Sequence, residues 1–474
     1  MKYETVIGIE IHCELKTKTK MFSSAPVVVG AQPNTATNEI DLGHPGTLPS
    51  LNKEAVRLAI MACRALNLKI DPLIRFDRKN YYYSDLPKGF QITQQFYPIG
   101  TKGHIDIETK DGLKHVRINR LHMEEDTAKQ YHVEDESWMD FNRAGTPLVE
   151  IVSEPDMRSS EEAMKYVEKL RAMLVYLGVT DGKMEEGSLR CDINISLRPE
   201  GTSEYGVKTE IKNLNSISNI ALAIDAEVKR QSELLDKGEA VEQATRRYDD
   251  VNKTTILMRK KEGTVDYKYF PEPNIPPILI DAKWMEEIIS NLPELPEERK
   301  NRYLSLGLND YDADTLILNK GLSDFFDALI LHTTQTKLSA NWVLSEVPAV
   351  IDSKQIHDKS YALKLNEFAQ MLDALGSKEI SSKQAKEIFP HLLKGQAYKQ
   401  IVKEFNIEQV SDETTLIKLI EETLNENPQS IVDFHNGKDR ALGFLVGQVM
   451  KKSRGQANPQ KTNELLIKAL NEKA

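Results

Sequence analysis

The chain has 474 residues, enough for about three domains at roughly 150 residues each. Hydrophobic residues make up 40% and charged residues 28%, which excludes a disordered tail protein, and no apolar run approaches the roughly 20 residues of a membrane helix. Lys and Arg total 62 against 72 Asp and Glu, a net charge of −10 that disfavours a nonspecific nucleic-acid coat but allows a local basic face.

The opening Met1-Lys2-Tyr3-Glu4 carries an acid where a signal peptide would place apolar residues, so a cytoplasmic protein is expected. Cys13, Cys63 and Cys191 are far apart, odd in number and without a Cys-x-x-Cys spacing, and read as reduced core thiols. Thr5 to Glu14 alternates, with Ile7, Ile9, Ile11 and Cys13 on one side and Glu10, His12 and Glu14 on the other, the signature of a half-buried strand. Lys53 to Leu68 reads as an amphipathic helix capped by Asn52. Ser159 to Leu177 is the clearest helix: Ser159 with Glu162 forms a capping box, and Gly178 ends it.

Leu189 to Arg198 is the clearest strand, and Val207 to Lys212 its hairpin partner. A register symmetric about Gly201 sets Asp192 opposite Glu210, Asn194 opposite Lys208 and Arg190 opposite Lys212. Proline-rich punctuation at 270–277 and 292–296 marks a change, and nearly everything beyond reads as short helices, with a weaker boundary near 405–410. The expected architecture is α+β: an N-terminal domain of antiparallel sheet and helices over 1–293, then all-α helical units over 294–405 and 406–474.

Neither a G-x-x-x-x-G-K-[ST] loop nor a helix-opening G-x-G-x-x-G is present, so any nucleotide must be held another way. Carboxylates instead crowd the polar faces of apolar-backed strands: Glu10 beside His12, Glu124 and Glu125 on opposite sides of one strand end, and Asp192 facing Glu210. Crowded carboxylates repel, and a divalent cation with hard oxygen ligands, magnesium above all, removes the conflict. Arg190, Lys208 and Lys212 would then suit phosphate oxygens, completing the inventory of ATP-dependent phosphoryl transfer. For any one strand the blander reading, a solvated face of alternating charges, is the better one. The case rests on several strands sharing the asymmetry.

Around them, Tyr81, Tyr82 and Tyr83 with Arg78, Lys79 and Lys88 suit either base stacking and phosphate binding or aromatic packing at a domain seam. Residues 438–468 hold seven Lys/Arg against two Asp/Glu. There Lys451, Lys452 and Arg454 form a basic edge that reads as a phosphate-backbone contact, or as charges that satisfy a helix dipole.

The blocks Val6–His12, Phe76–Tyr81, Arg120–Asp126, Lys183–Asp192, Glu210–Ser216, Lys268–Pro271 and Gly455–Pro459, in that order, resemble the B subunits of bacterial glutamyl/aspartyl-tRNA amidotransferases. The resemblance spans nearly the whole chain. It implies a cradle domain carrying a kinase and transamidation site, a helical domain, and a tail domain that touches tRNA. It implies a ligase with glutamine as amido donor, in a heterotrimer with an amidase A subunit and a small C subunit. ATP phosphorylates the glutamate or aspartate of misacylated Glu-tRNA(Gln) or Asp-tRNA(Asn), and channelled ammonia displaces the phosphate. By motif, Glu10, His12, Glu124, Glu125, Asp192 and Glu210 correspond to the metal and catalytic cluster, with Glu125 at a tunnel mouth near Lys79 and Lys88. Some members carry a zinc knuckle after the first strand. Here 21–26 and 37–41 lack cysteine, so structural zinc is not expected and packing must hold the 21–45 loop. Two other classes fit less well. A ligase of free glutamate needs no basic tail, and a non-enzymatic tRNA scaffold leaves the carboxylates unexplained.

Overall fold

Strict alternation makes Tyr3–Glu14 (β1) the middle strand of the first unit, with Ile7, Ile9, Ile11 and Cys13 buried on one side and Glu10, His12 and Glu14 on the other. The computed structural model describes residues 2–260, 266–405, 413–436, 438–453, 457 and 459–472. Further strands follow at Lys69–Ile70 (β2), Leu73–Ile74 (β3), Asp77–Asn80 (β4), Phe90–Thr93 (β5), Gly100–Thr109 (β6), Gly112–Glu125 (β7), Lys129–Val133 (β8) and Glu136–Asp140 (β9). Pro147–Ser153 (β10), Leu189–Pro199 (β11), Thr209–Leu214 (β12), Ala244–Asp249 (β13) and Thr254–Lys260 (β14) complete the main set. Nine of them form one sheet in the order β14-β13-β12-β11-β1-β10-β7-β6-β2. Every adjacent pair is antiparallel except β12 and β13, whose parallel pairing departs from the expected antiparallel sheet. The helix Ile217–Asp236 lies between them in the chain and supplies the long crossover that a parallel pair requires.

One face of the sheet is apolar because its helices cover it. Ile9, Ile11, Val149, Ile151, Ile193 and Ile195 share a single core with residues of three helices, Lys53–Ala65 (α1), Ser160–Tyr176 (α2) and Ile217–Asp236 (α3). Burying each such aliphatic side chain contributes about 1.5–3 kcal/mol. Asn52 caps α1 by accepting from the N–H groups of Glu54 and Ala55. At α2 the expected capping box is half formed. Ser159 Oγ accepts from Glu162 N at 3.2 Å, but the Glu162 carboxylate turns to Arg158 N and Lys114 Nζ, each at 2.6 Å. Gly178, at φ +69°, ends that helix in the left-handed region.

The hairpin register differs from the symmetric one. Asn194 lies opposite Glu210 rather than Lys208, with a bulge between Cys191 and Ile193, so Asp192 and Glu210 are not directly opposite. The shift is by two residues as far as Ile211, which keeps Glu210 on its expected face, and the bulge then adds a third, so that Ile211 and Leu214, three residues apart, are both buried.

The chain divides into two compact units, Met1–Pro296 and Glu297–Ala474. The second is helical. One apolar cluster gathers around Tyr303, Phe326, Trp342, Phe368 and Phe389, and another around Leu416, Ile420, Leu445, Val449 and Leu466.

The 21–45 segment is not held by packing alone. Lys20 is fully buried, and its Nζ donates to Asp41 Oδ2 at 3.2 Å and to the Phe141 carbonyl at 3.5 Å. Ser23 Oγ donates to Asp41 Oδ1 at 2.7 Å and Asn38 N to Oδ2 at 3.1 Å. A buried ion pair therefore ties the segment down, with Met21, Phe22 and Ala36 packed beside it.

Candidate active site

Pairing across β11, β1, β10 and β7 sets Arg190 beside His12, His12 beside Glu150, and Glu150 beside His122, one row on the polar face of four strands. Glu150 Oε2 lies 3.4 Å from His12 Nε2 and 3.3 Å from His122 Nε2. Glu124 closes the group, 3.7 Å from His12 and 3.6 Å from His122, and accepts from Thr93 Oγ1 at 3.3 Å. His12, Glu124 and Glu150 each offer a donor atom within 4.8 Å of the other two. One row along, Glu10 pairs with Asp192 and accepts from Asn194 Nδ2 at 2.9 Å. Lys212 Nζ donates to Asp192 at 2.6 Å and lies 3.0 Å from Glu210.

Electrostatics follow from this crowding. Burial, then the charges of Glu150, Asp192 and Glu210, raise the Glu10 carboxyl above its ordinary range, against the hydrogen bond from Asn194. Burial pulls both imidazoles down, yet Glu150 and Glu124 outweigh it, so His12 is raised and His122 reaches about 9. Burial works against the Glu150 carboxylate, but His122 and His12 hold it well below the usual range. Carboxylate repulsion acts at Glu10, and an oxygen-rich donor set with one imidazole fits a hard divalent ion such as magnesium, whose binding would release the proton that Glu150 and Glu124 favour on His12.

The row opens into a cleft of about 860 Å³, lined by His12, Glu14, Arg190, Asp192 and Lys212 among others. Burial lowers Lys212's affinity for its proton, but Asp192 and Glu210 more than reverse this and fix it as a cation. Arg190 donates to Asp126 at 2.7 Å, while its Nε is buried without a hydrogen-bond partner. Burial and the Asp126 charge push Glu14 up to about 7, against Arg190 and Arg143, so this carboxyl exchanges protons near neutrality.

The remaining expected residues lie elsewhere. Glu125 is separated from this group because it leaves β7 on the other side from Glu124, where it accepts from Lys88 Nζ and from Ile92 N at 3.0 Å. Lys79 sits over the rings of Tyr267 and Tyr81, at 5.0 and 5.6 Å. Tyr81 in turn contacts Tyr83 and Tyr267, while Tyr82 is 94% exposed. Lys208 is exposed beside a smaller pocket that Glu10 and Asn194 also line. In the second unit Lys451 is exposed, but Lys452 donates to Glu426 at 2.7 Å, and Arg454 lies outside the described residues.

Glu150, His122 and Glu14 are the residues that sequence reasoning did not assign. Glu150 had a signal, as the one acid in the otherwise apolar or small-residue strand Pro147–Ser153. His122 had one too, since it shares the parity of Glu124.

Comparison with known proteins agrees along the chain. The family described as "GatB/GatE catalytic domain" matches residues 5–286, and the one described as "GatB domain" matches 324–470. Curated relatives, each named as the B subunit of an aspartyl/glutamyl-tRNA(Asn/Gln) amidotransferase, include that of Bacillus licheniformis, 52% identical, and that of Geobacillus thermodenitrificans, 51% identical, each covering 100% of both chains. The protein of that name from Bacillus pumilus is 52% identical over 99% of both.

Proposed function

The chain belongs to the family of aspartyl/glutamyl-tRNA(Asn/Gln) amidotransferase B subunits, and on that premise we propose which residues carry its part of the ligase reaction. The substrates are ATP and a tRNA misacylated with glutamate or aspartate, and glutamine is the nitrogen donor. A side-chain carboxylate oxygen of the esterified amino acid takes the γ-phosphoryl group of ATP and ADP leaves. Ammonia then attacks the acyl carbon and inorganic phosphate departs, leaving the amide.

His12, Glu124 and Glu150, with Glu10, Asp192 and Glu210 around them, would hold magnesium, which supplies countercharge for phosphoryl transfer when bound. Lys212 and Arg190 face the same cleft and steady phosphate oxygens, with Lys208 at the exposed edge. Glu14 is suited to take the proton shed as ammonia adds, because its carboxyl titrates near neutrality. Glu125 with Lys88, and Lys79 among the tyrosines, serve the side from which ammonia arrives. An amidase A subunit supplies that ammonia and a small C subunit completes the cytoplasmic assembly. The unit from 1 to 293 works as the cradle, 294–405 as the helical domain, and 406–474 as the tRNA-contacting tail.

The observation that carries this reading is that His12 and Asp192 of the proposed metal set share one cleft with Arg190 and Lys212, the cations suited to phosphate, in a chain matched to the family along its length. Phosphate release by the assembled complex tests it. Release with Glu-tRNA(Gln) or Asp-tRNA(Asn) and none with free glutamate is expected. Equal release with free glutamate would replace it with a free-amino-acid ligase.

A further inference from the structure

Outside the cleft, β6 and β7 bring a second set of metal-ligating side chains together. His104 and Asp106 stand two residues apart on β6 and so share a face, His115 of β7 pairs with Asp106, and Arg117 pairs with His104. The intervening Ile105, Ile107, Val116 and Ile118 are buried in the core, which fixes both strands. The two imidazole rings lie 4.3 Å apart between centroids, and His115 Nδ1 is 2.7 Å from Asp106 Oδ1. One donor atom from each of the three residues lies within 4.8 Å of the other two.

We propose that His104, Asp106 and His115 form a binding site for a zinc-class divalent metal, distinct from the carboxylate cluster of the cleft. Zinc bonds of about 2.0–2.1 Å in a tetrahedron keep donor atoms roughly 3.3 Å apart, so donor atoms now within 4.8 Å of one another need draw in by at most about 1.5 Å to hold an ion. Two imidazoles and one carboxylate favour zinc, cobalt or nickel over magnesium, whereas the oxygen-rich cleft has the opposite preference. The neighbouring cation does not oppose an ion, because Arg117 is engaged by Asp156 at 2.9 and 2.7 Å. All three residues are exposed or half-buried, so water reaches the remaining coordination position. An ion there would bridge two strands close to one edge of the sheet.

The test counts Zn²⁺ bound per full-length chain, stripped with chelator and dialysed against Zn²⁺ in excess Mg²⁺. The count compares wild type, a His104→Ala/His115→Ala double variant, and His12→Ala, which alters the cleft alone. The double variant should lose one equivalent of Zn²⁺ relative to wild type, and His12→Ala should keep it. Asp106→Asn should weaken that equivalent by at least about tenfold. Equal Zn²⁺ in wild type and double variant would reduce the trio to a hydrogen-bonded surface cluster and overturn the proposal.

Discussion

Asp41→Asn isolates the link between the 21–45 segment and the cleft. That segment contributes Val27, Val28, Val29, Gly30, Ala31 and Pro33 to the cleft wall, and the Lys20–Asp41 pair anchors it. Removing one partner of a buried ion pair costs about 3–5 kcal/mol, because the other charge is left uncompensated. Lys20 is 0% and Asp41 4% exposed, so solvent does little to screen the loss. The lower end, about 3 kcal/mol, applies here because asparagine can still accept from Ser23 and the Phe141 carbonyl still accepts from Lys20. At 1.4 kcal/mol per decade, amide exchange across 20–45 should accelerate by about two orders of magnitude, read by mass spectrometry. Burial holds Lys20 below its ordinary pKa even beside Asp41, and further below without it. Its charged form is then disfavoured in the fold, so the defect is full below the lowered folded value and fades as pH rises from there towards 10.5, the unfolded value. Adding Lys20→Met to Asp41→Asn removes the stranded charge and should restore most of the protection. Unchanged exchange in Asp41→Asn, or a double variant no better than the single, would refute the claim that this pair holds the wall.

Glu150→Gln should weaken the Mg²⁺ dependence of amidation by about 10–100-fold, with the partner's glutaminase chemistry intact, and an unchanged Mg²⁺ titration would remove Glu150 from the site. Glu227→Gln should cost about 3 kcal/mol at pH 7, since the buried carboxylate accepts from Arg230, Gln231 and Thr255 at 2.6–3.0 Å. Burial opposes the Glu227 carboxylate but these partners lower its pKa below 4.5, so its stabilisation is full above pH 4.5 and is lost as pH falls through the lower folded value. Denaturant unfolding at pH 7 and pH 3 checks whether the gap to wild type closes in acid. Lys451→Ala should raise the KM for aminoacyl-tRNA and reduce its salt slope by about one, more than Lys452→Ala, whose side chain is already committed to Glu426. Identical salt slopes in wild type and Lys451→Ala would leave the tail basic edge without a tRNA role.

Much of the fold is legible because one face of the sheet is buried. Ile7, Ile9, Ile11 and Cys13 of β1, like Leu189, Cys191, Ile193 and Ile195 of β11, must alternate to reach the helices, and that alternation is visible without coordinates. The β11–β12 register is not, because alternation fixes which face a residue takes but not which residues pair, and the bulge beside Cys191 adds one residue that strict alternation does not anticipate. The site is legible to the same extent. Glu10, His12, Glu124, Asp192 and Glu210 stand out as acids or histidine against apolar periodicity. Glu150 also stands out as the one acid of its strand, but its significance lies in two cross-strand imidazoles that no local pattern reveals. Glu14 is hidden for another reason: its usefulness is a proton affinity set by burial and by Asp126, neither of which its own strand displays.

The short strand β5 ties the two halves of the proposed chemistry together. Glu124 and Glu125 are one peptide bond apart and diverge to opposite sides of β7, and β5 holds both: Thr93 Oγ1 donates to Glu124 and Ile92 N to Glu125. β5 pairs with β4, which carries Lys79, and Lys88 precedes β5 by two residues and binds Glu125. A displacement of β5 along β4 would therefore move the hydrogen-bond donors of both carboxylates at once. On the proposed reading, the metal side and the ammonia side are indexed by one four-residue strand rather than by two independent elements. Rigidity is then a requirement of function, since reacting groups misplaced by about 1 Å can cost 10²-fold in rate. The buried neighbours meet that requirement: Ile92 packs in the core, and Gln91 Nε2 donates to the Glu125 carbonyl at 2.6 Å, clamping the end of β7 from the adjoining residue.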